Sequence, residues 1–305
     1  MTRISDLGFQ QILLSSFQRA QNAAETRQVQ LASGKVSDRY SGVGVRTEQL
    51  LDSEGVLTRA TAYERAAAVA ASRLQVQEAG LETIADSLAR LRDRFVTALA
   101  TGSAELIAPE LATEAQRILS ALNTETGGVY VFGGTDGAAP PVSARTIDDL
   151  VAAPDIDALF GAAGRVRLPV EEGTTVDGGA TAQEIASDVL ASLKEIAEAP
   201  GTLGAFSGRL TPAQAAFVAA KVAQFDALSA AHVNHQGTNG LAQAQVAAAE
   251  DRNVQRRNLA EIVASEIEDV DLAEVVARLN QDRLAIEAAA QALAQSRELS
   301  LLNFL

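Results

Sequence analysis

The sequence predicts a mainly α protein: an elongated helical rod or coiled coil of paired N- and C-terminal helices, with a small β-containing insertion in the middle. Three observations carry this. Apolar residues recur every seven positions at both ends of the chain, no proline occurs before Pro109, and turn residues and prolines gather in the centre.

The first helix is expected over about Ser5 to Ser33. Gln10, Phe17, Ala24 and Leu31 stand seven apart, and Leu13 and Ala20 supply the second position of the stripe. Gly34 suits the end of this helix, because glycine tolerates the left-handed conformation that closes helices. Residues 35–45 read as a loop, with Ser37, Asp38, Ser41, Gly42 and Gly44 as turn formers.

The strongest periodicity lies between Arg46 and Ala100. Leu74, Leu81, Leu88 and Phe95 form one row, and Ile84, Leu91 and Ala98 the parallel one. A helix of that length would run about 80 Å, so its apolar face needs partners along its course. A shorter helix follows from about Pro109 to Asn123, with Leu111, Ile118 and Leu122 inward.

The centre then changes character. Val129 to Phe132 is a β-prone run closed by Gly133-Gly134, and Arg165 to Val170 alternates like a strand before the Glu172-Gly173 turn. Thr181 to Ala199 reads as helix, followed by a loop over Pro200–Gly208. Thr211-Pro212 marks a helix start, with proline at the first helical position. Helix is expected from there to about Ala264, with a solvated turn around His232 to Gly240. A last helix is expected over Ile267 to Leu302, with Leu272, Leu279, Ile286 and Leu293 seven apart. The expected domains are 1–45 plus 264–305, a terminal coiled coil; 46–132 plus 209–263, a helical rod; and 133–208, a small α/β insertion.

Composition narrows function. The 305 residues are 47% hydrophobic but only 4% aromatic, with no Trp, which suits helices packed through small side chains. A net charge of −14 argues against nucleic acid as a partner. The absence of cysteine excludes disulfides, thiolate metal sites and a Cys nucleophile. Met1 to Phe9 lacks the pattern of a cleaved secretory signal, and no apolar run approaches the roughly 18–20 residues of a membrane span.

Catalytic constellations are weak. His232 and His235 stand three apart, but no acidic or third histidine neighbour completes a ligand set, and Asn234, Gln236, Gly237 and Asn239 suggest a turn. Gly133-Gly134-Thr135-Asp136-Gly137 follows a strand-like run, yet it lacks phosphate-loop spacing and the following Lys-Ser or Lys-Thr. Glu266, Glu268, Asp269, Asp271 and Glu274 are acidic residues near a helix N-terminus, where the dipole favours them. No enzyme activity, metal or cofactor is expected.

The ends carry motifs. Met1-Thr2-Arg3-Ile4-Ser5 with Gln10-Gln11, and Gln30-Leu31-Ala32-Ser33-Gly34-Lys35-Val36, resemble the opening of the flagellin family. Ser265-Glu266-Ile267-Glu268-Asp269-Val270-Asp271-Leu272-Ala273-Glu274 resembles that family's C-terminal motif. Ser33, Gly34, Ile267, Glu268, Asp269 and Asp271 are the motif positions. Within the family, the terminus Leu299-Ser300-Leu301-Leu302-Asn303-Phe304-Leu305 is similar to that of hook–filament junction proteins. So are Gly128 to Gly134 with Pro140-Pro141, and Arg165 to Val176. The loop Ser37 to Gly44 departs from the family pattern, with one acid and no proline.

The resemblance implies an extracellular structural subunit of the bacterial flagellum, exported unfolded by the flagellar type III route. It would polymerise through its ends, with the filament's own flagellin and an intracellular helical scaffold as alternatives. Implied partners are other copies of itself, another hook-associated protein on the hook side, flagellin on the filament side, and an export chaperone on the C-terminal helix. The assembly interface is expected at Phe9, Leu13, Phe17, Ala24, Leu31, Leu272, Leu279, Ile286, Leu293, Leu301, Leu302 and Phe304.

Overall fold

Long helices dominate the chain in a computed structural model. It describes the backbone over residues 2–161 and 164–302, and side chains over residues 8–295 apart from Gln10, Ala162 and Ala163. The order is α1 (Thr2–Ser33), α2 (Thr47–Thr101), α3 (Ile107–Leu122), β1 (Glu125–Thr126), β2 (Val129–Tyr130), α4 (Ile147–Ala152), β3 (Arg167–Glu171), β4 (Thr174–Asp177), α5 (Ala182–Glu198), α6 (Pro200–Leu203), α7 (Pro212–Glu268) and α8 (Leu272–Leu302). The mainly α expectation holds. Contacts divide the chain into two compact units: residues 1–59 with 256–305, and residues 60–255.

The second unit holds the apolar core. Leu81, Leu88 and Phe95 on α2 are buried, as are Ile84 and Leu91 in the parallel row. On α7, Val218, Phe225, His232, Asn239, Val246 and Asn253 are all buried at seven-residue intervals, the signature of a continuous helix–helix seam. Phe95 and Phe225 meet edge-to-face, ring centroids 5.3 Å apart. α3 turns Ile107, Leu111, Ala115, Ile118 and Leu122 into the same cluster, and α5 adds Ile185, Val189, Leu193 and Ile196.

Polar side chains fix the element starts. Thr181 and Glu184 form a reciprocal capping box at α5, Thr146 and Asp149 another at α4. Thr211 and Gln214 exchange bonds of 3.0 and 3.2 Å at the start of α7. The middle segment is anchored on α2. Arg73 donates to Gly178 O at 3.2 Å and to Val131 O at 2.7 Å, and Gln77 donates to Val131 O at 2.6 Å. The β3–β4 hairpin places Val170 and Val176 against Ala67, Ala70, Leu74, Ala242, Val246 and Ala249. Small side chains there let the hairpin approach the helices closely.

Several local expectations need correction. The solvated turn around His232 does not exist: both histidines lie inside α7, and His232 is 2% exposed, with Nε2 2.7 Å from Leu81 O. Gly237 and Gly240 sit on the exposed side of α7, where their low helix propensity is outweighed by the seam opposite. The last helix starts at Leu272 rather than Ile267, because Asp269 to Asp271 break the chain between α7 and α8. The Val129–Phe132 run makes only a two-residue strand, and Val131 and Phe132 go into the core instead. One helical turn, α6, occupies the start of the expected Pro200–Gly208 loop, and the short α4 falls within the expected α/β insertion.

Candidate functional site

The first unit is built from both chain ends and is organised differently. α1 packs along α8. On α1 the inward stripe is Ala24 and Gln30, buried, with Leu13, Phe17 and Ala20 half-buried. Leu31 falls outside it, exposed, because a straight helix has 3.6 residues per turn and drifts away from a strict seven-residue row. Phe9 is exposed too. On α8 the inward residues are Val275, Leu279 and Ala289, with Ile286 and Leu293 half-buried. Leu272, the first residue of α8, is exposed. Leu301 and Leu302 lie in α8, but their side chains, and Phe304 entirely, fall outside the described residues.

This unit leaves large apolar side chains in water. Phe9, Ile12, Leu14, Val29 and Leu31 on α1, Leu259 and Ile262 on α7, and Leu272, Val276 and Leu284 on α8 are all exposed. Both buried apolar clusters lie in the other unit. An exposed Leu is ordinary when single; this many on one unit is a concentration of apolar surface.

The two end motifs meet. α1 closes at Gly34, with φ at +71°, and the chain then crosses to the α7–α8 junction. Lys35 and Asp269 form an antiparallel bridge. Val36 N donates to Glu268 O at 2.6 Å, and Val270 N donates to Gly34 O at 3.0 Å. The Lys35 ammonium pairs with Glu268 at 2.9 Å, which raises the lysine pKa above its ordinary value. Gln30 reaches around the turn to Val36 O at 2.8 Å. Ile267 is buried beneath this clasp. Ser265 donates to the Asp269 carboxylate, and Asp271 accepts from Ala273 N and Glu274 N at 2.9 and 3.2 Å. Asp271 is therefore the N-cap of α8, whereas Glu268 and Asp269 serve the clasp and the end of α7. Gln30 was not singled out from the sequence as a bonding residue; its place beside Gly34 was the available signal.

Among the described residues no group of three His, Cys, Asp or Glu is placed to hold a metal ion. A solvent-open groove along α2 and α3, lined by Thr83, Thr113, Gln116 and Arg117 among others, has no histidine or carboxylate in its lining. No described helix is long and apolar enough to cross a membrane.

Comparison with known proteins finds family matches toward both ends of the chain. Residues 4–136 match the bacterial flagellin N-terminal helical region, and residues 222–305 match the bacterial flagellin C-terminal helical region. Among curated proteins none matches the chain. The fold is shared with a flagellar hook-associated protein from Vibrio parahaemolyticus, at 18% identity and a TM-score of 0.57, over 76% of this chain and 99% of that one. Bacillus cereus FlgL aligns over 73% of this chain and 98% of its own, at 14% identity and a TM-score of 0.43. Matched by the family's two helical regions over most of its length, and joined at the clasp by that family's motifs, the chain belongs to the bacterial flagellin family.

Proposed function

We propose that this chain is a non-enzymatic structural subunit at the hook–filament junction of the flagellum, acting outside the cell. The observation that carries the reading is the apolar surface of the terminal unit, set against a second unit whose core is complete. Each large apolar side chain that a neighbour covers contributes about 1.5–3 kcal/mol, so a few of them offset the ordering of a helix pair. Phe9, Leu31 and Leu272, exposed on this unit, are the proposed assembly contacts, together with Leu301, Leu302 and Phe304; Leu13, Phe17, Ala24, Leu279, Ile286 and Leu293, buried or half-buried there, are proposed to hold the helix pair that presents them. Copies of the chain, another hook-associated protein, flagellin and an export chaperone on α8 are the proposed partners. The terminus Leu299 to Leu305 and the Gly128–Gly134 stretch favour the junction over the filament.

The test is removal of residues 293–305 in the producing bacterium. The expected result is intact hooks without filaments. Normal filaments would refute the reading. Long filaments formed by the purified chain alone would favour the filament itself.

A further inference from the structure

The α2–α7 seam carries polar residues where a coiled coil usually places apolar ones. His232 and Asn239 stand seven apart on α7, and each binds a main-chain oxygen of α2. His232 Nε2 lies 2.7 Å from Leu81 O, and Asn239 Nδ2 lies 3.0 Å from Leu74 O. Leu81 and Leu74 are themselves seven apart, so the same contact is made twice, one heptad on. Both side chains are at least 97% buried. Polar pins of this kind specify register at some cost in stability.

Each pin leaves one buried acceptor without a partner, His232 Nδ1 and Asn239 Oδ1, but only the imidazole can take up a proton. A carbonyl oxygen can only accept, so His232 Nε2 carries the proton and the neutral ring leaves Nδ1 as a bare lone pair. Nδ1 is buried and has no hydrogen-bond partner. Proton uptake would create a buried N–H without an acceptor, and a positive charge in the buried seam beside Leu81. The titratable groups acting on the ring are Glu78 on α2 and His235 on α7. Glu78 is hydrogen-bonded to Asn239 at 2.7 Å, and the His235 ring lies 6.2 Å away. Burial is the largest influence and lowers the His232 pKa below its ordinary 6.5. His235 acts in the same direction, while Glu78 and the Leu81 bond oppose it.

We propose that His232 is an acid-operated release point in the α2–α7 seam: a proton taken up at Nδ1 makes a buried charge that favours states in which the ring leaves Leu81 for water and the helices around it loosen, while the pin at Asn239 holds. The sign follows from linkage. The loosened state binds the proton more tightly, so the seam is at full strength above about pH 6.5 and weakens as pH falls below it.

The test uses the full chain and His232→Asn, which copies the pin already present at Asn239. Amide hydrogen exchange is followed at pH 7.5 and 5.5, corrected for intrinsic rates. In the wild type, exchange over residues 77–85 and 229–236 should quicken in acid by up to about tenfold, the ceiling that one histidine of ordinary pKa 6.5 in the opened state sets between these two pH values, and in His232→Asn it should not. Equal acid response in the two proteins would overturn the proposal. So would NMR titration of the wild-type chain placing His232 at or above the ordinary histidine value. Should His232→Asn fail to fold, His232→Gln and that titration decide the question.

Discussion

Gly34→Ala isolates what the clasp contributes. Gly34 has φ at +71°, and a Cβ built there meets no atom within 4 Å. The substitution therefore adds no clash; its cost is that of holding an L-residue in the left-handed region, about 1–2 kcal/mol. That cost falls on the turn that delivers Lys35 and Val36 to Glu268 and Asp269. The reporters are the amides of Val36 and Val270, which donate across the clasp. If they exchange by local opening, 1–2 kcal/mol corresponds to rates about 5–30-fold faster. Gly34→Asn, whose side chain tolerates that conformation better, should lie between alanine and wild type. Amides of α5, in the other unit, should be unchanged. A change below about twofold at Val36 and Val270, or equal acceleration in α5, would refute the view that the left-handed turn holds the clasp shut.

Other perturbations address the remaining contacts. Lys35→Glu should weaken the clasp by roughly 0.2–1 kcal/mol, the range for exposed ion pairs. Glu268→Lys in the same chain should restore it, with both effects shrinking in high salt, as urea titration of clasp exchange would show. Phe95→Ala removes a fully buried ring stacked edge-to-face on Phe225 and should cost about 3–5 kcal/mol in denaturant unfolding. Gly80→Ala places a methyl 2.7 Å from the Phe132 ring and should cost about 1–3 kcal/mol, read as a lowered thermal midpoint.

The helices were legible in the sequence because heptad rows survive at the residue level. Leu81, Leu88 and Phe95 are spaced as they are buried. What failed was local context. The polar run from His232 to Gly240 looks like a turn one residue at a time, yet Val246 and Phe225 on either side hold the same row in the seam. Leu31 and Leu272 were drawn into their rows by counting in sevens, whereas the end of a stripe is set by where the helix stops and what its last polar residue bonds. The clasp was half visible: both motifs were recognisable, but their meeting is a long-range contact, and Lys35 and Glu268 are separated by 233 positions. Short strands such as β1–β2 leave almost no periodic signal in two residues.

The attachment of the middle segment to α2 has an evolutionary consequence. Arg73 holds both Val131 and Gly178, and Gln77 also holds Val131, so the segment's entry and exit are tied to one helical turn. Whatever lies between those two knots can lengthen, shorten or change character without moving the points where it is sewn on. Diversity is therefore cheap at the Glu172-Gly173 bend and dear at Arg73, and descendants of this chain should vary accordingly.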